Sequence, residues 1–216
     1  MKRIISPSIL SADFSNLQSV CEMINKSEAD WLHIDIMDGV FVPNISFGFP
    51  IIEAVKRHCT KLLDVHIMIS NPEQYVERFA KSGADILTFH YETTNEPEKV
   101  IDMIREHGMR PAITINPDLP VRVLEKYVDK VDMVLLMSVF AGYGGQKFIE
   151  ASYDRIKELK NIINEKNPNC LIEVDGGVNL NNIKSVFDNG ADVAVAGSAV
   201  FNSKDPIETI RTMKNI

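Results

Sequence analysis

Trp31-Leu32-His33-Ile34-Asp35-Ile36-Met37-Asp38-Gly39 is the stretch on which the fold turns. Ile34 and Ile36 alternate with His33, Asp35 and Met37, the period of two that a strand imposes on its faces. One face is aliphatic; the other carries an imidazole, a carboxylate and a thioether. Asp38-Gly39 is a turn signal, so the strand ends there and delivers its polar groups to the rim of a sheet. In α/β enzymes that rim carries the chemistry. Polar groups set between isoleucines mark a site, not a wet surface.

Outward from this strand the chain alternates between two periods. Strands are expected over residues 4–9, 30–37, 62–69, 85–91, 110–115, 131–139, 171–175 and 193–196. Helices are expected over residues 16–27, 50–58, 72–82, 97–107, 120–127, 152–165, 181–189 and 206–213. Leu17, Val20, Cys21 and Ile24 show the helical spacing of the first. Proline opens several helices, where its missing N–H costs nothing, and Gly83, Gly108 and Gly190 each follow a helix end. Eight β-then-α units without a linker or composition break predict one α/β domain over residues 1–216 with a parallel sheet. That number of units fits a closed (β/α)8 barrel. An open doubly wound sheet is the alternative, weakened by the lack of a Gly-x-Gly-x-x-Gly turn after the first strand.

The chain has 216 residues, 45% of them hydrophobic and 25% charged, enough for one sizeable core. Its net charge of −7 argues against nucleic acid or an anionic membrane as partner, but not against a phosphorylated metabolite held by local donors. Cys21, Cys59 and Cys170 are widely spaced and form no C-x-x-C, so neither a disulfide framework nor a zinc ribbon is expected. Pro7 interrupts the first apolar run and no run is long enough to span a bilayer. A reduced, cytoplasmic protein is the expectation.

On a barrel, strand ends become the candidate site. Asp64-Val65-His66-Ile67-Met68-Ile69 repeats the logic of the opening strand, and Ile172-Glu173-Val174-Asp175-Gly176-Gly177 ends the seventh strand on a carboxylate. His33, Asp35, His66 and Asp175 form a two-imidazole, two-carboxylate set from three strands. That mix suits one divalent ion, Zn²⁺ foremost, with Fe²⁺, Mn²⁺ or Co²⁺ also compatible. Glycines make a second system: Gly142-Tyr143-Gly144-Gly145 after the sixth strand, Gly176-Gly177 after the seventh and Gly197-Ser198 after the eighth. Such loops bring backbone N–H groups close to a phosphate, though every loop also needs turn residues. Met37, Met68 and Met137 lie near strand ends and suggest a polarizable wall around a reactive carbon, against the ordinary use of Met as core filler. His58 and His107 read as helix-end residues, Asp38 as a turn residue, and His90 as a group packed beside the site or facing the mouth.

Ser6-Pro7-Ser8-Ile9-Leu10-Ser11-Ala12-Asp13-Phe14, HIDIMDGVFVPNISF from His33, DVHIMI from Asp64, GGQKF from Gly144 and EVDGGVN from Glu173 closely resemble the ribulose-phosphate 3-epimerase family. The resemblance runs along essentially the whole chain. It implies a TIM barrel that interconverts D-ribulose 5-phosphate and D-xylulose 5-phosphate in the pentose phosphate pathway, and a homo-oligomer. It also implies that His33, Asp35, His66 and Asp175 hold the metal and that Asp35 and Asp175 are the acid–base pair. Ser8, His66, Gly142–Gly145, Gly176, Gly177, Gly197 and Ser198 match positions that contact substrate or its phosphate. The family usually has an acidic residue or Asn, then Pro-Gly-Phe-Gly-Gly, where this chain reads Phe140-Ala141-Gly142-Tyr143-Gly144-Gly145. The donor glycines persist, so the difference is expected in loop rigidity and lid behaviour.

Epimerising a carbon next to a ketone needs a base on one face and an acid on the other, and a divalent ion steadies the enediolate between them. The rival activity is 3-epimerisation of a hexulose phosphate such as D-allulose 6-phosphate, distinguished at the mouth by Phe140 and Tyr143. A non-catalytic sugar-phosphate-binding barrel is the rival from another class.

Overall fold

The structure, a computed structural model describing residues 3–216, arranges the alternating segments in one barrel. The strands are β1 (Ile4–Pro7), β2 (Trp31–Met37), β3 (Leu62–Met68), β4 (Ile86–His90), β5 (Arg110–Ile115), β6 (Met133–Met137), β7 (Leu171–Asp175) and β8 (Val193–Ala196). Their order is β1-β8-β7-β6-β5-β4-β3-β2, every pair parallel. Between β1 and β2 the seam closes on a Ser8–His33 bridge and on an Asp30 N–H bond to Ile5 O. The helices are α1 (Leu17–Lys26), α2 (Phe49–His58), α3 (Val76–Ser82), α4 (Pro97–Glu106), α5 (Ser152–Lys166), α6 (Ile183–Asp188), α7 (Ser198–Phe201) and α8 (Pro206–Asn215).

Helix α8 shows how the sequence sets its elements. Asp205 caps it by accepting from Glu208 N–H, Pro206 follows at the first turn, and Ile210 and Met213 point into the core. Even-numbered strands share a second device. Asp30, Asp85, Asp132 and Asp192 immediately precede β2, β4, β6 and β8, each bonding through its N–H to the preceding strand. Asp30, Asp85 and Asp192 also accept, through Oδ2, the N–H of Ile5, Leu63 and Ile172 at 2.9, 2.8 and 3.1 Å. In the fourth case the matching residue is Pro111, which has no N–H to give. Lys214, Lys56 and Lys160 pair with the first three carboxylates and Arg105 faces Asp132.

The outward strand faces, such as Leu32, Ile34 and Ile36, pack beneath the helices in the main core. Ile4, Trp31, Ile86, Ala112, Met133 and Val193 form a separate apolar cluster that plugs the barrel below the polar interior. Deleting one such wholly buried Leu or Ile to Ala costs about 2–5 kcal/mol.

The fifth unit departs from expectation. Residues 120–127 form no α-helix; a 3₁₀ helix covers Val121–Leu124 and turns continue to Lys130. Val121, Leu124, Tyr127 and Val128 are the buried residues; Val123, Glu125, Tyr127 and Lys130 bond to carbonyls three residues back, and only Val128, to Leu124 O, makes a four-residue step. That is a period of three, not 3.6. Strand β1 stops at Pro7 and Ile9–Ser11 is a 3₁₀ turn, and Pro72–Gln74 is a 3₁₀ turn ahead of α3. The short α7 after β8 has no counterpart among the expected helices. Among the described residues no helix is long and apolar enough to cross a membrane.

Candidate active site

Inward positions at i, i+2 and i+4 bring His33, Asp35 and Met37 of β2 beside Asp64, His66 and Met68 of β3. His33 Nε2 and His66 Nδ1 lie 3.2 and 3.1 Å from Asp35 Oδ1. The same two nitrogens are 4.0 and 3.8 Å from Asp175 Oδ2, at the end of β7. One ligand atom from each of the four residues falls within 4.8 Å of the others. Tetrahedral bonds of ~2.0–2.1 Å place ligand atoms about 3.3 Å apart, so the set needs only a small contraction to hold a divalent ion. The donor chemistry, two imidazoles and two carboxylates, fits such an ion.

His33 is oriented from behind: its Nδ1 lies 2.6 Å from Asp64 Oδ2, leaving Nε2 for the site. Ser8 Oγ donates to Asp35 Oδ2 at 2.6 Å, which holds that carboxylate from the β1 side. Burial disfavours the charge on Asp35, yet the adjacent His33 and His66 rings outweigh it and hold the carboxyl far below its usual range. Asp175 goes the other way, pushed up to about 6 by burial and then by the Asp35 charge. Burial also opposes a charged His33, but Asp35 and Asp64 hold its pKa well above the usual value. The proton affinities of these two neighbouring carboxyls are therefore pushed in opposite directions.

Above them opens a cavity of about 360 Å³. Asp35 and Asp175 line its floor, with Ser8, Met37, Met68 and Met137. Gly142, Tyr143, Gly144, Gly145, Gly176, Gly177, Gly197 and Ser198 line it from the β6, β7 and β8 loops. His33 and His66 are fully buried and do not reach the cavity wall, so His66 faces the carboxylates but not the cavity. Gly177 has φ +68°, and a Cβ there would run into Phe148 N and lie 2.8 Å from Gln146 O. Only glycine lets the β6 and β7 loops approach this closely.

The unusual β6 loop is tied down. Tyr143 Oη donates to Pro43 O at 2.7 Å, Asn44 Nδ2 donates to Gly142 O at 2.9 Å, and Gln146 Nε2 donates to Phe140 O and Tyr143 O. These bonds replace the stiffness that a proline would supply. Asp38 is a turn residue: its Oδ1 accepts from Val40 and Phe41 N–H, and its Oδ2 from Ser70 N–H. His58 ends α2, and His107 caps α4 with Nδ1 on Met103 O. His90 is fully buried against His66. Cys21, Cys59 and Cys170 are buried free thiols.

Sequence reasoning assigned no role to Asp64 or Glu173. Both are fully buried inside the barrel, and both oxygens of Glu173 lack a partner. Burial, then the Asp64 charge, raises the Glu173 pKa well above its usual value. The same alternation that singled out His66 and Asp175 places these acids on the inward face two residues away. Ser11, Gln146, Asn179 and Asn202 also line the cavity, and no spacing pattern marked them.

The ribulose-phosphate 3 epimerase family model matches residues 4–201. The chain is 46% identical to the ribulose-phosphate 3-epimerase of Bacillus subtilis (strain 168), over 97% of each chain. It is 44% identical to the ribulose-phosphate 3-epimerase of a Synechocystis strain, over 98% of this chain and 93% of the relative. Among solved structures, a mutant tryptophan synthase α-subunit from Pyrococcus furiosus superposes with a TM-score of 0.71 at 17% identity, covering 99% of this chain and 96% of that one. That likeness concerns the barrel alone.

Proposed function

The chain belongs to the ribulose-phosphate 3-epimerase family and is an isomerase of that kind; from this premise we propose which residues carry the reaction and on which sugar. The substrate pair is D-ribulose 5-phosphate and D-xylulose 5-phosphate, the pentulose phosphates that the relatives' names point to. One observation carries the assignment of roles: Asp35 and Asp175 both line the cavity, and their environments push their proton affinities apart.

Asp35, kept ionised, takes the proton from C3 on one face of the sugar. Asp175, which holds a proton far more readily, delivers one to the opposite face. In the reverse direction the roles exchange. Ser8 keeps Asp35 Oδ2 fixed during transfer, and the His33 ring is kept from rotating by Asp64. His33, Asp35, His66 and Asp175 are the residues that would hold a divalent ion, zinc foremost, with iron, manganese or cobalt accepted by the same donors. Such an ion supplies Lewis-acid stabilisation for charge that builds on the substrate oxygens. Met37, Met68 and Met137 exclude water around the carbon that changes hand. Gly142, Gly144, Gly145, Gly176, Gly177, Gly197 and Ser198 grip the phosphate, whose binding energy is then available away from the reacting carbon.

This reading places the protein in the cytoplasm and in the pentose phosphate pathway, acting on a small sugar phosphate. The exposed apolar side chains of Phe14, Val40 and Ile45 support a homo-oligomer. The decisive experiment follows deuterium from solvent into C3 of D-ribulose 5-phosphate. Wild-type protein is expected to exchange and epimerise. Asp35→Asn and Asp175→Asn should lose several orders of magnitude in turnover while remaining folded. Turnover near wild type in either variant refutes the two-carboxylate assignment.

A further inference from the structure

The two imidazoles of the candidate metal site are backed by different chemistry. Behind His33 stands a carboxylate, Asp64, at 2.6 Å. Behind His66 stands another imidazole: His90 Nε2 lies 2.9 Å from His66 Nε2, with the rings stacked at 27° and 5.0 Å between centroids. Two ring nitrogens at that distance need one proton between them. A His66 that offers Nδ1 to the site carries its proton on Nε2, so His90 Nε2 accepts it. Neutral His90 then carries its own proton on Nδ1. That Nδ1 has no hydrogen-bond partner within reach, and the group facing it is Glu92 Oε2 at 3.6 Å. Phe41, from the β2 loop, packs against the His90 ring at 4.8 Å.

Glu92 is engaged on its other side as well. Its Oε1 accepts from the backbone N–H of Asn116 at 2.8 Å and from Asn116 Nδ2 at 3.1 Å. Asn116 Oδ1 in turn accepts from Ala141 N–H at 3.0 Å, in the β6 loop that walls the cavity. Arg155 braces the same corner, donating to Asn116 O and Met137 O at 3.0 Å each. An unbroken set of neighbours therefore runs from the back of His66 to the seat of the mouth loop, through groups that touch neither the cavity nor the four ligand atoms.

We propose that His90 and Glu92 are positioning residues: together they fix which nitrogen of His66 faces the site, and Glu92, through Asn116, ties that orientation to the seat of the β6 loop. The inference rests on the reading of His66 as a metal ligand. Groups that orient a ligating histidine typically change metal affinity by about 10- to 100-fold when removed.

The test uses the full chain. Zn²⁺ is titrated into metal-free protein against a chromophoric chelator, amide exchange at Ala141 is followed, and long-range ¹H–¹⁵N spectra locate the imidazole protons. Glu92→Ala should weaken Zn²⁺ binding about tenfold and speed exchange at Ala141. His90→Phe should weaken Zn²⁺ binding at least as much and leave Ala141 exchange unchanged. The spectra of zinc-loaded wild type should show His66 protonated on Nε2 and His90 on Nδ1. Affinities within about twofold of wild type in both folded variants overturn the inference, since removal is expected to cost ten times or more. So does a proton on Nδ1 of zinc-loaded His66. Should a variant fail to fold, the wild-type spectra decide alone. Wild-type protein that takes up no Zn²⁺ refutes the metal reading instead. The effect of Glu92→Ala on Ala141 exchange is read in metal-free protein too, and judges the tie to the β6 loop separately.

Discussion

Asp175→Asn is expected to abolish turnover and, in metal-free protein, to raise stability. Folding moves the Asp175 carboxyl from 3.8 to about 6, through burial first and the Asp35 charge second. A raised acid pKa means that the native state holds the proton more tightly than the unfolded chain. The group's contribution is therefore most favourable below 3.8 and is lost as pH rises through about 6. Above that range the ionised carboxyl costs about 3 kcal/mol relative to a neutral group of the same shape. Its side chain is only 18% exposed, so water screens little of this. Asn supplies that neutral group. Urea or thermal unfolding of metal-free protein at about pH 8 should show a gain near 3 kcal/mol, about 6–12 °C in Tm for a chain of this size. At about pH 4 the gain should nearly vanish, because wild-type Asp175 is then largely protonated in the native state. Saturating Zn²⁺ should reverse the order, since wild type gains binding energy through a ligand that the variant lacks. A metal-free variant no more stable than wild type at the higher pH, or equally stabilised at both, refutes the reasoning.

Stripping the protein with a strong chelator should abolish epimerisation, and Zn²⁺, Mn²⁺ or Co²⁺ should restore it in an activity assay; full activity in demonstrably metal-free protein removes the Lewis-acid role. Gly177→Ala forces φ +68° on a residue with a Cβ aimed at Phe148 N and Gln146 O. It should cost about 1–3 kcal/mol in an unfolding titration and raise KM as the β6 and β7 loops separate. Tyr143→Phe deletes the bond to Pro43 O at a half-exposed site. Stability should change by about 1 kcal/mol or less, while amide exchange across Gly142–Gly145 quickens; unchanged exchange shows that the hydroxyl does not hold the loop.

The two faces of the opening strand were legible because strand geometry is local. A period of two puts His33 and Asp35 on one face and Ile34 and Ile36 on the other whatever the rest of the chain does. Eight repetitions of strand and helix specify a parallel sheet for the same reason, and Asp38 before Gly39 needs nothing distant to be a turn. The fifth helix was misjudged because Pro120 and a run of apolar residues look helical at coarse resolution. The backbone bonds of Val123, Glu125, Tyr127 and Lys130 step back three residues, which shows only in the folded chain.

What the sequence by itself determined is which residues face inward and which strand ends carry donors. Which donors meet is decided by barrel closure. Asp35 and Asp175 lie on β2 and β7, and the closed barrel brings both carboxylates up to His33 Nε2 and His66 Nδ1. Asp64, Glu173 and His90 share the inward alternation of the candidate ligands, but partners such as His33 for Asp64 and His66 for His90 depend on strand register. The Tyr143–Pro43 tie, joining residues a hundred positions apart, has no local signature at all. Periodicity is a property of neighbouring residues and survives in a string of letters. Contact between strands is set by the hydrogen-bond register of a closed sheet, and exists only when the chain has folded.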